Sequence, residues 1–153
     1  MPISIPKALS GLGIALPETP KPVASYVPAV RTGNMVFSSG QLPRAAGTLV
    51  TGLLGRDLDV EKGAAAARVC ALNALSAVNS ILSEKEGVVR IVKLVVFVAS
   101  AADFSEQPKV ANGASDLMLE VFGEAGKHAR SAVGVPVLPM NAAVEVEMIV
   151  EVG

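Results

Sequence analysis

The sequence predicts an α+β protein, in which one sheet is covered on a single face by two helices. Three patterns support this fold class. Residues 61–83 place small apolar side chains every three or four positions, residues 88–100 are rich in β-branched side chains, and residues 143–152 alternate apolar and mostly acidic side chains. In order along the chain, the elements are predicted as β-β-(β)-α-β-α-β-β.

The N-terminal third of the chain predicts an arm followed by a hairpin. Residues 1–22 contain five prolines and are expected to form an arm with one short helix. Apolar runs at 26–30 and 35–40 flank a turn at residues 32–34, a pattern typical of a β-hairpin. A short third strand is expected around residues 49–50.

The first covering helix is predicted over residues 61–83, with Asp59 as its N-cap. Its predicted buried stripe consists of Ala64, Ala67, Ala71, Leu75, Val78 and Leu82. Leu72 lies off this stripe, which indicates that the helix has a second contact surface. Cys70 is the single cysteine and lies in the same apolar run, so a buried small side chain is expected there rather than a reactive thiol.

The second helix is predicted to begin with a cap among residues 103–105 and to carry Pro108 in its first turn. Its buried stripe is expected to be Val110, Ala114, Leu117 and Val121. Gly113 lies inside this helix, where glycine costs about 0.5–1 kcal/mol relative to alanine. This cost indicates a packing or functional reason for the glycine. Gly123 and Gly126 are expected to end the helix.

Two C-terminal strands complete the predicted sheet, at residues 131–138 and 143–152, with a turn at 139–141. In the last strand, alternation predicts that Val144, Val146, Met148, Val150 and Val152 share one face. The opposite face is expected to carry Glu145, Glu147, Ile149 and Glu151.

Composition limits the classes of function. Hydrophobic residues make up 51% of the 153 residues and charged residues only 18%, so part of the surface is expected to contact another subunit. The net charge is −1 and the 13 Lys and Arg residues are scattered, which argues against a nucleic-acid partner. No run resembles a membrane span or a signal peptide, so no membrane partner and a cytoplasmic location are expected.

Three segments carry a resemblance to a known family: SGQLP (39–43), VVRIVKLVVFVAS (88–100) and ARSAVGV…LP…VEVE (129–147). Their combination and order resemble the RidA/YjgF/YER057c/UK114 family, also called the endoribonuclease L-PSP family. The N-terminal arm and the phrase QPKVANGASDL (107–117) are most similar to a longer branch of that family. The resemblance runs from about Tyr26 to the C-terminus and implies a chorismate-mutase-like fold and a homotrimer with clefts between subunits. The length of the chain predicts a single domain over residues 1–153.

The resemblance also implies a set of site residues. Arg130 takes the position of an arginine that holds the substrate carboxylate, and its planar guanidinium suits two parallel hydrogen bonds. Glu145 matches a glutamate proposed to orient or deprotonate the attacking water. Tyr26 aligns with a cleft tyrosine, whose phenol is able to donate a hydrogen bond to the substrate or to exchange a proton with it. Ser39 aligns with a serine near the ligand. Asn112 roughly matches a cleft asparagine, although its spacing to Arg130 is one residue longer.

These residues also have purely structural interpretations. Arg130 would be a solvated cation at a strand edge, and Glu145 would belong to a solvated face. Tyr26 would be a half-buried strand aromatic, and Ser39 would satisfy backbone groups near a turn. The residue types alone do not decide between the two interpretations.

Two departures from the family pattern bear on the substrate. Ala132 stands where a cysteine is common, and Gly134 where a larger side chain is common, so the family's substrate preference does not carry over automatically. The single histidine, His128, is expected to be structural. No second histidine or paired acid supports a metal site or a nucleophilic triad.

The best-understood branch of the family hydrolyses reactive enamines and imines, such as 2-aminoacrylate, to 2-oxo acids and ammonia. The leading hypothesis is therefore a deaminase of a small carboxylate substrate that needs no metal or cofactor. A non-catalytic trimer that binds a carboxylate metabolite is the first alternative. RNA cleavage or translation inhibition is suggested only by the family's older name, and the scattered cations and single histidine argue against it.

Overall fold

The computed structural model describes residues 1–21 and 24–153. Within them the helices are α1 (Ile5–Gly11), α2 (Val60–Asn79) and α3 (Gln107–Phe122). The strands are β1 (Ala29–Thr32), β2 (Met35–Ser38), β3 (Arg44–Ala45), β4 (Thr48–Leu49), β5 (Val88–Ala99), β6 (Ala129–Val135) and β7 (Val144–Val152). Short 3-10 turns lie at Gly123–Gly126 and Pro139–Asn141.

The main sheet has five strands in the order β1-β2-β7-β5-β6. All neighbouring strands run antiparallel except β5 and β6, which are parallel and joined through α3. A parallel pair needs such a crossover, because a tight turn can connect only antiparallel neighbours. The predicted fold class is confirmed. Helix α1 is the short helix expected in the N-terminal arm, and β3 and β4 form a separate two-stranded sheet.

The core lies between one face of the sheet and helices α2 and α3. The apolar residues of β7 that alternation predicts to be buried are all buried, and so is the predicted stripe of α3. Cys70 is also buried, as predicted, and burial raises the pKa of its thiol well above the usual range. Much of the buried face of α2 is alanine, so α3 packs closely against it. None of the described helices is long and apolar enough to cross a membrane.

The predicted boundaries of α2 and α3 need two corrections. Asp59 caps α2 as predicted, accepting a hydrogen bond from the backbone of Lys62 at 2.9 Å, but the helix ends at residue 79 rather than 83. Leu82 lies beyond that end and is only partly buried. The cap predicted at 103–105 for α3 is wrong, because the N-cap is Glu106 and it makes no side-chain capping bond.

The strand boundaries also differ from the predictions. The hairpin turn at residues 33–34 is confirmed, but its strands are β1 and β2 rather than 26–30 and 35–40. Strand β6 begins at residue 129 and not at 131, so Arg130 lies inside it. It ends before Pro136, which has no backbone N–H to continue the ladder.

The segment predicted as an N-terminal arm contributes to the core. Ile3 forms two backbone hydrogen bonds of 2.8 Å with Val88 at the start of β5. Ile5 and Leu9 of α1 are fully buried. The last residue of the predicted arm, Pro22, lies outside the described residues. The short third strand predicted around residues 49–50 is β4.

Candidate functional site

Arg130 points from β6 toward helix α3. It lies opposite Leu94 of β5, whose side chain is in the core, so Arg130 is on the helix-covered side of the sheet. Its Nη1 donates to Asn112 Oδ1 at 2.8 Å and to Ser115 Oγ at 3.0 Å. Its Nη2 donates to the carbonyl of Pro108 at 3.4 Å. Three acceptors from one helix therefore fix the guanidinium.

The geometry of these bonds leaves one edge of the guanidinium available. An arginine has five N–H donors, and three of those of Arg130 are used. The other two, on Nε and Nη2, have no acceptor among the described residues. Nε and Nη2 border one edge of the guanidinium plane, and donors on that edge can grip a carboxylate with two parallel hydrogen bonds.

Ser115 links Arg130 to the single histidine. For a neutral ring, His128 Nδ1 donates to the carbonyl of Gly126 at 2.6 Å, because a carbonyl only accepts. His128 Nε2 then accepts the hydroxyl proton of Ser115 at 2.9 Å, while the same oxygen accepts from Arg130. Ser115 is not among the site residues predicted from the sequence. Its position three residues after Asn112, on the same helical face, is the signal that identifies it.

Glu145 lies on the opposite side of the sheet. It is paired with Phe97 of β5 and is half-buried. Its Oε1 lies only 2.0 Å from the position that a Cβ on Gly40 would occupy, so Gly40 leaves the space for this carboxylate. Burial, and secondarily the neighbouring Glu147, raise the pKa of Glu145. No donor in the described part of the chain bonds its carboxylate.

Tyr26 and Ser39 lie on the same side of the molecule as Gly40. The side chain of Tyr26 is 50% exposed and borders a cleft that Gly40 also lines. The structural interpretation of Tyr26 as a strand aromatic is wrong, because Tyr26 lies outside the strands. Ser39 donates its hydroxyl proton to the carbonyl of Val27 at 2.6 Å, which is the backbone-satisfying role given as its structural interpretation.

The predicted site residues therefore form two separate groups within one chain. Arg130 and Asn112 belong to one group, and Glu145, Tyr26 and Ser39 to the other. Arg130 is on β6 and Glu145 on β7, and β5 lies between these two strands. The β5 residues opposite them are three positions apart, which places the Cα atoms of Arg130 and Glu145 on the order of 14 Å apart. They also point to opposite faces of the sheet. A small substrate bound to Arg130 therefore does not reach Glu145 of the same chain.

Gly134 has a packing partner that explains its small size. A Cβ at this position would lie 2.7 Å from Nε2 of Gln107, the first residue of α3. Gln107 in turn donates to the carbonyl of Phe104 at 2.8 Å. The space that a larger side chain would take at residue 134 is thus occupied by the amide of Gln107.

Comparison with known proteins identifies the family of the chain. The model of the YjgF/chorismate mutase-like endoribonuclease family matches residues 7–152. The chain belongs to this family. Its relatives include protein TCP17 of Trypanosoma cruzi, which is 52% identical over 145 residues, 94% of this chain and 91% of that one.

Two further proteins are similar to the chain over most of their length. A 2-iminobutanoate/2-iminopropanoate deaminase of Dermatophagoides farinae is 35% identical over 139 residues, covering 90% of this chain and 93% of the relative. The crystal structure of a protein of unknown function from Agrobacterium tumefaciens superimposes with a TM-score of 0.86 at 46% identity, covering 97% and 92% of the two chains. The resemblance seen in the three sequence segments is thereby confirmed.

Proposed function

We propose that the protein hydrolyses reactive 2-imino acids, and the enamines that tautomerise to them, to 2-oxo acids and ammonia. The observation that carries this proposal is the free edge of Arg130, since every such substrate presents a carboxylate next to its reacting carbon. Asn112, Ser115 and Pro108 hold the guanidinium in place, so little ordering remains to be done when the carboxylate binds. The relative named as an imine deaminase supports the same substrate class.

The reaction balances with water alone. The oxygen of the water forms a bond to the imine carbon, and the π electrons of the C=N bond move to nitrogen, which takes a proton. A second proton then passes from the hydroxyl to the nitrogen, the C–N bond breaks as nitrogen leaves as ammonia with the bonding pair, and the former hydroxyl oxygen becomes the 2-oxo oxygen. In this scheme Glu145 takes a proton from the water and returns it to the nitrogen.

Bringing Arg130 and Glu145 to one substrate requires two copies of the chain, and we propose a homotrimer with sites between subunits. The sheet face that no helix covers supports this assembly. It carries Val30, Phe37, Val95, Phe97, Val133 and Ile149, of which Val30, Phe37 and Val133 are more than 40% exposed. An apolar patch of this kind is usually covered by another chain.

A coupled assay tests the proposed reaction. An amino-acid oxidase generates the imine, and semicarbazide traps whatever has not been hydrolysed. Wild-type protein is expected to reduce the trapped fraction in proportion to its concentration, with heat-denatured protein as the control. If the trapped fraction is unchanged for imines of several side chains, the protein is not an imine deaminase. Carboxylate binding without turnover then becomes the better proposal.

The pH dependence tests the role of Glu145. It must be ionised to accept a proton, so activity is expected to fall as the pH drops through its pKa. Burial and Glu147 raise this pKa, so the acid limb of kcat/KM should lie above the ordinary range of a glutamate. The Glu147→Gln variant removes one of the two causes of the raised pKa of Glu145. The acid limb of the pH profile should therefore move to lower pH.

The matched control is Glu151→Gln, which removes the same charge four residues further along β7, where the carboxylate accepts a hydrogen bond from Asn34. Imine should be supplied by a coupling enzyme in large excess at every pH. A limb that stays in place in Glu147→Gln, or that moves equally in both variants, would rule out Glu145 as the proton acceptor.

A further inference from the structure

A cleft of about 800 Å³ lies between the segment 17–21, helix α2 and the β3–β4 hairpin. This volume falls within the range of about 300–1,000 Å³ that small-molecule sites occupy. Val69 and Leu72 of α2 form its floor. The position of Leu72 off the buried stripe predicts a second contact surface on α2. In the structure that surface is the floor of this cleft.

Two buried polar side chains of α2 hold the walls of the cleft in place. Asn73 donates to the carbonyls of Leu42 and Arg44, both at 3.0 Å. Ser76 donates to the carbonyl of Pro17 at 2.7 Å. Asn73 and Ser76 are 3% and 2% exposed and lie three residues apart, on one face of the helix. The cleft is thus built into the fold by hydrogen bonds to opposite walls.

The charged side chains of the cleft leave it cationic. Lys21 and Arg44 line it, and neither forms an ion pair with a residue that the structure describes. Glu18 also lines the cleft, so the three charges sum to +1. An apolar floor beneath two cations fits a molecule that combines a hydrocarbon segment with an anionic group.

The cleft begins beside the proposed reacting centre. Tyr26 and Gly40 line it, and Gly40 lies directly against the carboxylate of Glu145. A side chain that extends past Gly40 from an imine carbon next to Glu145 would therefore enter the cleft.

We infer that the cleft receives the substrate side chain, and that the preferred substrates are 2-imino acids whose side chain is a hydrocarbon segment ending in a second carboxylate. The first carboxylate binds to Arg130, the hydrocarbon segment lies on Leu72, and the second carboxylate lies between Lys21 and Arg44. This inference rests on the proposed function for the position of the reacting carbon.

Direct binding of stable 2-oxo acids, the reaction products, tests the inference without any turnover. Titration calorimetry would compare 2-oxobutanoate, 2-oxooctanoate and 2-oxooctanedioate. We expect 2-oxooctanoate to bind more tightly than 2-oxobutanoate, because its chain covers the apolar floor. The second carboxylate of 2-oxooctanedioate should add about fivefold to tenfold, since its ion pairs with Lys21 and Arg44 are partly exposed to solvent.

Variants separate the contribution of the second carboxylate to affinity from that of the hydrocarbon chain. In Lys21→Ala/Arg44→Ala the advantage of 2-oxooctanedioate over 2-oxooctanoate should disappear. The control Lys7→Ala/Lys85→Ala removes the same charge from exposed lysines outside the cleft and should keep that advantage. Leu72→Gln should reduce the advantage of both eight-carbon acids over 2-oxobutanoate, and because Leu72 is only partly buried, the fold is expected to tolerate it.

Equal affinity of wild-type protein for the three acids would overturn the inference, and so would a dicarboxylate advantage that survives in Lys21→Ala/Arg44→Ala. Failure of the proposed function is a different result, in which imine hydrolysis is absent while the order of product affinities is as expected. The two failures are therefore distinguished by separate measurements.

Discussion

Arg130→Ala is expected to lower kcat/KM for imine hydrolysis by about 100- to 1,000-fold, corresponding to ~3–4 kcal/mol of transition-state stabilisation. The variant removes the two N–H donors that the structure leaves free for the substrate carboxylate. It also leaves Asn112, Ser115 and Pro108 without the guanidinium that they surround. The coupled imine assay measures the loss, and circular dichroism checks that the fold is kept.

A graded series shows whether the geometry of the guanidinium matters as well as its charge. Arg130→Lys keeps the charge but cannot offer two parallel donors, so it should fall well below wild type. Ser115→Ala removes one of the acceptors that orient Arg130, and we expect mainly a higher KM. Arg56→Ala is the control, since Arg56 is an exposed arginine paired with Asp57. Undiminished turnover by Arg130→Ala would refute the proposed carboxylate anchor.

Gly113→Ala is expected to lower the free energy of unfolding by about 2 kcal/mol or more. Two effects oppose each other here. Alanine is the better helix former by about 0.5–1 kcal/mol. However, the new Cβ would lie 1.9 Å from the carbonyl oxygen of Ala64 in α2, and backbone cannot move aside as a flexible side chain does. Because α2 and α3 would have to separate, the packing cost exceeds the gain in helix propensity.

The matched control is Gly63→Ala, a glycine within α2. Its Cβ would meet the ends of two flexible side chains, Leu54 Cδ1 at 2.6 Å and the methyl groups of Val110 at 3.1 and 3.2 Å. We therefore expect a clearly smaller loss than for Gly113→Ala. Chemical denaturation at one fixed protein concentration compares the variants, because association of subunits would make stability depend on concentration. A Gly113→Ala protein as stable as wild type would disprove this account of the glycine.

The sequence by itself determined those features that depend on local periodicity. The alternation in residues 143–152 placed Val146 and Met148 in the core and Glu145 on the other face, because side chains in a strand point alternately to its two sides. The helical period identified the buried stripe of α3, and Asp59 marked the start of α2. A glycine inside a helix also marked residue 113 as a position that needs a packing reason. The structure gives that reason, since α3 packs there against the backbone of Ala64 in α2.

The candidate residues could be found from motifs, but their arrangement could not. Arg130 was identified from its place in the ARS motif, whereas its contacts with Ser115 and Asn112 depend on how α3 lies over β6. The cleft above Leu72 likewise depends on hydrogen bonds between Ser76 and Pro17, which are 59 residues apart. No periodicity in a single segment encodes such contacts.

Only the tertiary structure decided that Arg130 and Glu145 of one chain cannot act on one substrate. Their sides of the sheet follow from the pairing of β5 with β6 and β7, in which Leu94 lies opposite Arg130 and Phe97 opposite Glu145. A shift of one residue in either pairing would have moved one of them to the other face, because the side-chain period of a strand is two. Register is set by the packing of whole strands against the helices. The position of Arg130 and Glu145 on opposite faces of the sheet therefore follows from the folded structure and not from either segment alone.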